Sequence, residues 1–184
     1  MPDDADLALA LASAYEALRA GEAAPLLAVA ARARPDDAAL ALRLSAAEAA
    51  AGRYSQAAAA HERAVALGLR DAPTYVDLGK LHERGGQHEA ALRAFQEAYR
   101  LEPTNVRTIR RVAGTMHTLG RTAEAVVWLQ GACRIDARDP GIRWALGMCY
   151  VALGKREEAR GEYEMLQRLD PNLAQKLYEA LMKQ

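Results

Sequence analysis

Four glycines stand at one fixed step along this chain: Gly52, Gly86, Gly120 and Gly154, each 34 residues from the next. A column of alanines, Ala57, Ala91, Ala125 and Ala159, keeps the same step five residues later. A period of this length marks stacked helix–turn–helix units, since each unit buries its apolar face only against its neighbours. The architecture is therefore constrained before any residue is read chemically. Arrays of this kind hold other molecules, and the period does not name the molecule.

The clearest unit runs from Ala72 to Asn105. Its first helix is predicted over Ala72 to Arg84, with Tyr75, Leu78, Gly79 and His82 on one face at helical spacing. Gly85-Gly86 ends it, because glycine adopts the left-handed conformation that terminates helices. A second helix is predicted from His88 to Leu101, carrying Ala91, Phe95 and Ala98. Pro103 cannot continue the hydrogen-bond ladder, and Thr104 or Asn105 can cap the helix that follows.

Tyr75-x-x-Leu78-Gly79-x-x-His82, followed by Ala91, Phe95, Ala98 and Pro103, resembles the tetratricopeptide repeat (TPR) pattern at eight positions. His82 stands where the family usually carries tyrosine. Looser units hold the same register at 38–71, 106–139 and 140–173, and a degenerate unit occupies 4–37. The step from Gly21 to Gly52 is 31, so the second helix of that worn unit is expected to be about one turn short. Asn172 is a candidate cap for a closing helix over 174–184, whose apolar stripe is Leu173, Leu177, Tyr178 and Leu181. The resemblance covers nearly the whole chain as one array. It implies an all-α, right-handed α-solenoid of eleven helices, arranged as antiparallel pairs with a C-terminal capping helix.

The resemblance also implies a concave groove lined by the first helix of each repeat, at repeat positions 2, 5, 6, 9, 12 and 13. In the 38–71 repeat these are Ala39, Leu42, Arg43, Ala46, Ala49 and Ala50, small and mostly apolar. The next repeat presents Val76, Asp77, Lys80, Glu83 and Arg84, of mixed charge. The third is basic, with Arg107, Arg110, Arg111, Gly114, His117 and Thr118; the fourth offers Trp144, Ala145, Met148, Val151 and Ala152. Candidate partner-binding residues are therefore Asp77, Lys80, Arg84, Arg107, Arg110, Arg111, His117, Trp144 and Met148. Arg107 and Arg111, four apart, present planar guanidinium groups that grip a carboxylate bidentately. Trp144 and Met148 suit an apolar side chain, so the expected ligand is an acidic segment with an adjacent apolar residue. Two other readings stand beside this one. Asp77 and Arg111 share a repeat position and can pair between helices, and a small rotation would tuck Trp144 into the core. The clamp by which some TPR domains hold the C-terminal carboxylate of chaperones is mostly missing. Arg107 and Arg111 fit it, but Leu42, Ala46 and Asp77 stand where lysine and asparagine are needed.

Composition bears on what is excluded. The chain has 24 basic and 24 acidic residues, so no global field draws it to nucleic acid or to a membrane surface. No run of about 18 apolar residues offers a membrane span, the N-terminus is acidic rather than signal-like, and two cysteines make no disulfide framework. A cytoplasmic protein is expected, and the alanine- and arginine-rich composition points to a GC-rich bacterial coding sequence. Cys133 and Cys149 sit in no metal-ligand spacing, no zincin helix or phosphate loop is present, and His61 and His82 fall at core positions. No enzyme activity, metal or cofactor is expected. The leading function is a protein-binding adaptor. A secretion or assembly chaperone is a narrower form of it. The alternatives are an accessory subunit of an enzyme complex, or a self-associating module that uses the apolar edge of Leu7, Leu9, Leu11 and Leu18.

Overall fold

The structure is a computed structural model that describes residues 4–183, and of residues 16–20 the backbone alone. Every regular element in it is helical: α1 (Asp4–Arg19), a 3-10 turn (Ala20–Ala23), α2 (Ala24–Ala33), α3 (Ala38–Ala50), α4 (Tyr54–Ala66), α5 (Ala72–Arg84), α6 (His88–Leu101), α7 (Val106–Thr118), α8 (Thr122–Ile135), α9 (Pro140–Ala152), α10 (Arg156–Leu169) and α11 (Pro171–Met182). The chain forms two compact units, Met1–Ala94 and Phe95–Gln184. In the first unit α1 packs on α2, α2 on α3, α3 on α4 and α4 on α5. In the second unit α7 packs on α8 and α9, α8 on α9, and α9 and α10 on each other and on α11.

The glycine column has the conformation that its place predicts. Gly52, Gly86, Gly120 and Gly154 all have φ between 70° and 77°, and a side chain there would be strained. Gly21 differs. It lies in the 3-10 turn, where an added Cβ would come within 3.1 Å of the Ala51 backbone, so it serves a close approach and not a left-handed φ. With that turn inserted, α2 has only 10 residues against 13 in α4, the shortening expected. The alanine column is fully buried at all four positions, where helices approach too closely for a larger side chain.

The helix starts follow a further column of the same step. Asp37, Asp71, Asn105 and Asp139 cap α3, α5, α7 and α9, each accepting a hydrogen bond from the backbone N–H three residues on. For Asp71 this bond to the Thr74 N–H pulls the carboxyl below its ordinary range. The closing helix departs from expectation. Asp170, not Asn172, caps it, accepting from the N–H groups of Asn172 and Leu173. Pro171 is its first residue, so α11 begins ahead of the expected boundary at 174. Its stripe is unevenly covered: Leu177 is buried, Leu173 and Leu181 are half-buried, and Tyr178 is exposed.

Candidate protein-interaction surfaces

In the first unit, α3 and α5 enclose an open cavity of about 360 Å³. Its walls are Leu42, Ala46 and Ala49 on α3 and Asp77, Lys80, Leu81 and Arg84 on α5. Six of these stand at the implied groove positions. The alanines of α3 create the space, because they are small where α5 carries long side chains. The rim is charged: Lys80 Nζ donates to Asp77 Oδ1 at 2.9 Å, an exposed pair worth roughly 0–1 kcal/mol. Arg84 holds its guanidinium 5.7 Å from the centre of the Tyr54 ring, a cation–π distance.

Ser45 and His61 close the floor of the cavity. His61 is buried; its Nε2 donates to the Thr74 carbonyl at 3.0 Å and its Nδ1 lies 3.4 Å from Ser45 Oγ. Burial pushes the His61 imidazole below its ordinary pKa, outweighing the bond to Thr74 and the charges of Asp77 and Asp71. His82, in the place of the family's tyrosine, is also buried, with Nδ1 2.8 Å from Gln87 Oε1 and Nε2 3.2 Å from Glu62 Oε1. Both histidines are therefore structural side chains with polar partners.

In the second unit the basic residues of α7 separate into two kinds. Arg107 and Arg111 are exposed on one face, and the Arg107 side chain has no partner among the described residues. Arg110 turns instead to the start of α9, 3.5 Å from the carboxylate of its capping residue, Asp139. It lies over Gly141, where an added Cβ would displace the guanidinium from this position. His117 is exposed with Nδ1 3.0 Å from Thr122 Oγ1. On α9, Trp144 and Met148 are half-buried. The Trp144 indole N–H is itself buried and meets no acceptor, and leaving such a donor unsatisfied costs about 1–3 kcal/mol.

A polar contact between α9 and α10 was not legible in the sequence. Arg143 Nη1 donates to both carboxylate oxygens of Glu162, at 3.1 and 3.4 Å, and Arg143 Nε donates to the Ala137 carbonyl at 3.0 Å. The two side chains are only 16% and 13% exposed. Burial raises the Glu162 carboxyl, and Arg143 offsets part of that rise. Burial likewise raises the thiols of Cys133 and Cys149, which keeps them protonated and unreactive at neutral pH. Among the described residues no cluster of His, Cys, Asp or Glu is placed to hold a metal ion. No helix among them is long and apolar enough to cross a membrane.

Antiparallel helix pairs at a 34-residue step, closed by left-handed glycines, define a tetratricopeptide-repeat protein. More narrowly, the chain belongs to the family described as the Cilia and flagella-associated protein 70 middle TPR-like domain, whose profile matches residues 8–170. Among curated proteins it is 26% identical over 113 residues to Protein CTR9 homolog of Arabidopsis thaliana, spanning 61% of this chain and 10% of that one. It is 28% identical over 105 residues to Superkiller complex protein 3 of Homo sapiens, spanning 57% and 7%. The matched stretch is thus a tenth or less of each relative. Among solved structures, MamA superposes with a TM-score of 0.77 at 17% identity, covering 95% of this chain and 96% of that one. YrrB, described as a TPR protein with an unusual peptide-binding site, gives 0.76 at 17% identity, covering 94% and 90%. These likenesses establish the fold.

Proposed function

We propose that this chain is a non-catalytic protein–protein interaction scaffold that binds a peptide or extended protein segment along its first helices. The observation that carries the reading is the α3/α5 cavity, whose walls are groove positions of two successive repeats. Its volume admits a bulky apolar side chain against Leu42, Ala46, Ala49 and Leu81. Lys80 and Arg84 stand at the rim for an acidic neighbour. In the second unit Arg107 and Arg111 offer further carboxylate-binding groups, and α9 carries the half-buried Trp144 and Met148. The preferred ligand is an acidic segment with an adjacent apolar residue, met in the cytoplasm; the even charge balance supports neither nucleic acid nor membrane as the partner. The non-catalytic reading is supported by histidines held in structural contacts and thiols held protonated. Superkiller complex protein 3 is by its name part of an assembly, which favours a subunit role in a larger complex over an export chaperone.

Selection of peptides from a random display library tests this directly. Wild type is expected to enrich sequences with a large apolar residue beside acidic ones. Ala46→Trp, which fills the cavity, and the double reversal Arg107→Glu/Arg111→Glu are each expected to lose most of them. Enrichment unchanged in both variants would refute the groove reading.

A further inference from the structure

The first and last described helices each expose apolar side chains among the described residues. On α1, Leu7, Leu11 and Tyr15 recur at helical spacing and are all exposed, Leu7 by 56%. On the other, α10 and α11 enclose an open cavity of about 450 Å³. Tyr163 and Tyr178 stand at one end of it, their rings 5.7 Å apart. Leu181 and Met182 line the other end, and Met182 is 65% exposed.

We propose that these surfaces fit each other in two copies of the chain: α1 of one copy lies in the α10/α11 groove of the next. Three observations commit the groove to this occupant. The lengths agree, since Leu7 to Tyr15 spans about 12 Å and Arg156 to Tyr163 about 10 Å at the rise of an α-helix. The charges agree as well. Arg160 is paired with Glu164 at 3.4 Å, but Arg156 has no side-chain partner among the described residues. The first turn of α1 carries Asp4 and Asp6, of which Asp6 is paired with Arg34. Asp4 is left to meet Arg156 with α1 running parallel to α10. That orientation also brings Tyr15 to the Tyr163/Tyr178 end and the leucines to Leu181 and Met182. Glu157 lines the same end of the groove and opposes Asp4, so the register requires Asp4 to meet Arg156 and stand clear of Glu157.

The contact joins different patches on the two copies, so it is heterologous and propagates into chains rather than closing as a symmetric dimer. One helix on a two-helix groove buries less than the roughly 1,200 Å² of stable complexes, so the association is weak and depends on concentration.

Sedimentation velocity between about 5 and 500 µM reads this out, the range suited to an interface of that size. Wild type is expected to grow in mass with concentration. Leu11→Asp and Met182→Glu, both at exposed positions, are each expected to weaken association at least tenfold. Mixing the two variants is the decisive arm. The first keeps an intact groove and the second an intact α1, so the mixture forms dimers and grows no further. Arg156→Asp is expected to weaken association and Asp4→Arg, added to it, to restore it. Wild type that stays monomeric throughout, association that survives Leu11→Asp, or a mixture that stays monomeric would each overturn the proposal. Val127→Asp, at an exposed apolar residue on α8, is expected to leave association unchanged; its loss there would place the interface elsewhere. The peptide-groove variants leave this interface intact, so the two readings fail separately.

Discussion

Removing Arg143 tests how the last repeat is held together. The pair with Glu162 joins α9 to α10 through two contacts of 3.1 and 3.4 Å, with little of either side chain in water. Breaking a buried pair from one side costs about 3–5 kcal/mol, because the remaining charge keeps its desolvation penalty and loses its partner. Here a little solvent access remains, so Arg143→Met is expected to cost roughly 2–4 kcal/mol. The double variant Arg143→Met/Glu162→Leu leaves no buried charge and is expected to fall within about 1 kcal/mol of wild type. Urea denaturation at pH 7 measures all three, with amide exchange in α9 and α10 as a local readout, since repeat arrays need not unfold in one step. Acidity supplies a second signature. The Glu162 carboxyl is raised in the folded state, so the unfolded chain gives up that proton first and stability falls as pH rises above about 4.5. Without Arg143 the rise is larger, so Arg143→Met is expected to regain more stability than wild type between pH 7 and pH 5. A cost below about 1 kcal/mol, or a double variant no more stable than Arg143→Met alone, would refute the reasoning.

Three other perturbations have definite signs. His61 is held below its ordinary pKa, so the unfolded state takes up the proton more readily and stability falls as pH drops through about 6.5. His61→Phe, matching Phe95 one step later, is expected to flatten that part of the denaturation midpoint between pH 7.5 and 5.5. At Gly147 an added Cβ would stand 2.5 Å from Leu177 Cδ2, so Gly147→Ala is expected to cost about 1–3 kcal/mol and to raise amide exchange in α11. Asp139→Ala removes both the α9 cap and the partner of Arg110, an expected loss of about 1–2 kcal/mol in urea denaturation that Asp139→Asn, which keeps the cap, largely avoids.

What was legible in the sequence was whatever repeats. The glycines impose one backbone conformation and the alanines one close approach, so α5 and α6 begin and end where the pattern put them. The capping column, Asp37, Asp71, Asn105 and Asp139, was as regular, but only its Asn105 member drew attention. What was not legible lies where a repeat departs from its neighbours. Pro171 occupies the column of Pro103, yet Pro103 sits in a turn and Pro171 opens a helix, because Asp170 before it caps at once. An isolated arginine reads as solvent-facing, and nothing local to Arg143 announces Glu162 on another helix. Arg110 looked like groove lining until Asp139 and Gly141 drew it aside. Of the worn first unit, Leu7 and Leu11 are exposed, whereas Leu9 is half-buried against the core; the Leu18 side chain lies outside the described residues.

Arg143 and Glu162 stand at repeat positions 4 and 23, and the same two positions elsewhere hold Ala41 with Ala60, Tyr75 with Ala94, and Ile109 with Trp128. Near-identical repeats can mis-stack during folding, one helix settling against the partner of its neighbour. Each pair of side chains here differs from the next in volume or charge. A slip of one unit would set Arg143 against Trp128 and leave Glu162 without its cation. That misassembled chain would carry two stranded charges, a penalty that would disfavour it against the native order of helices.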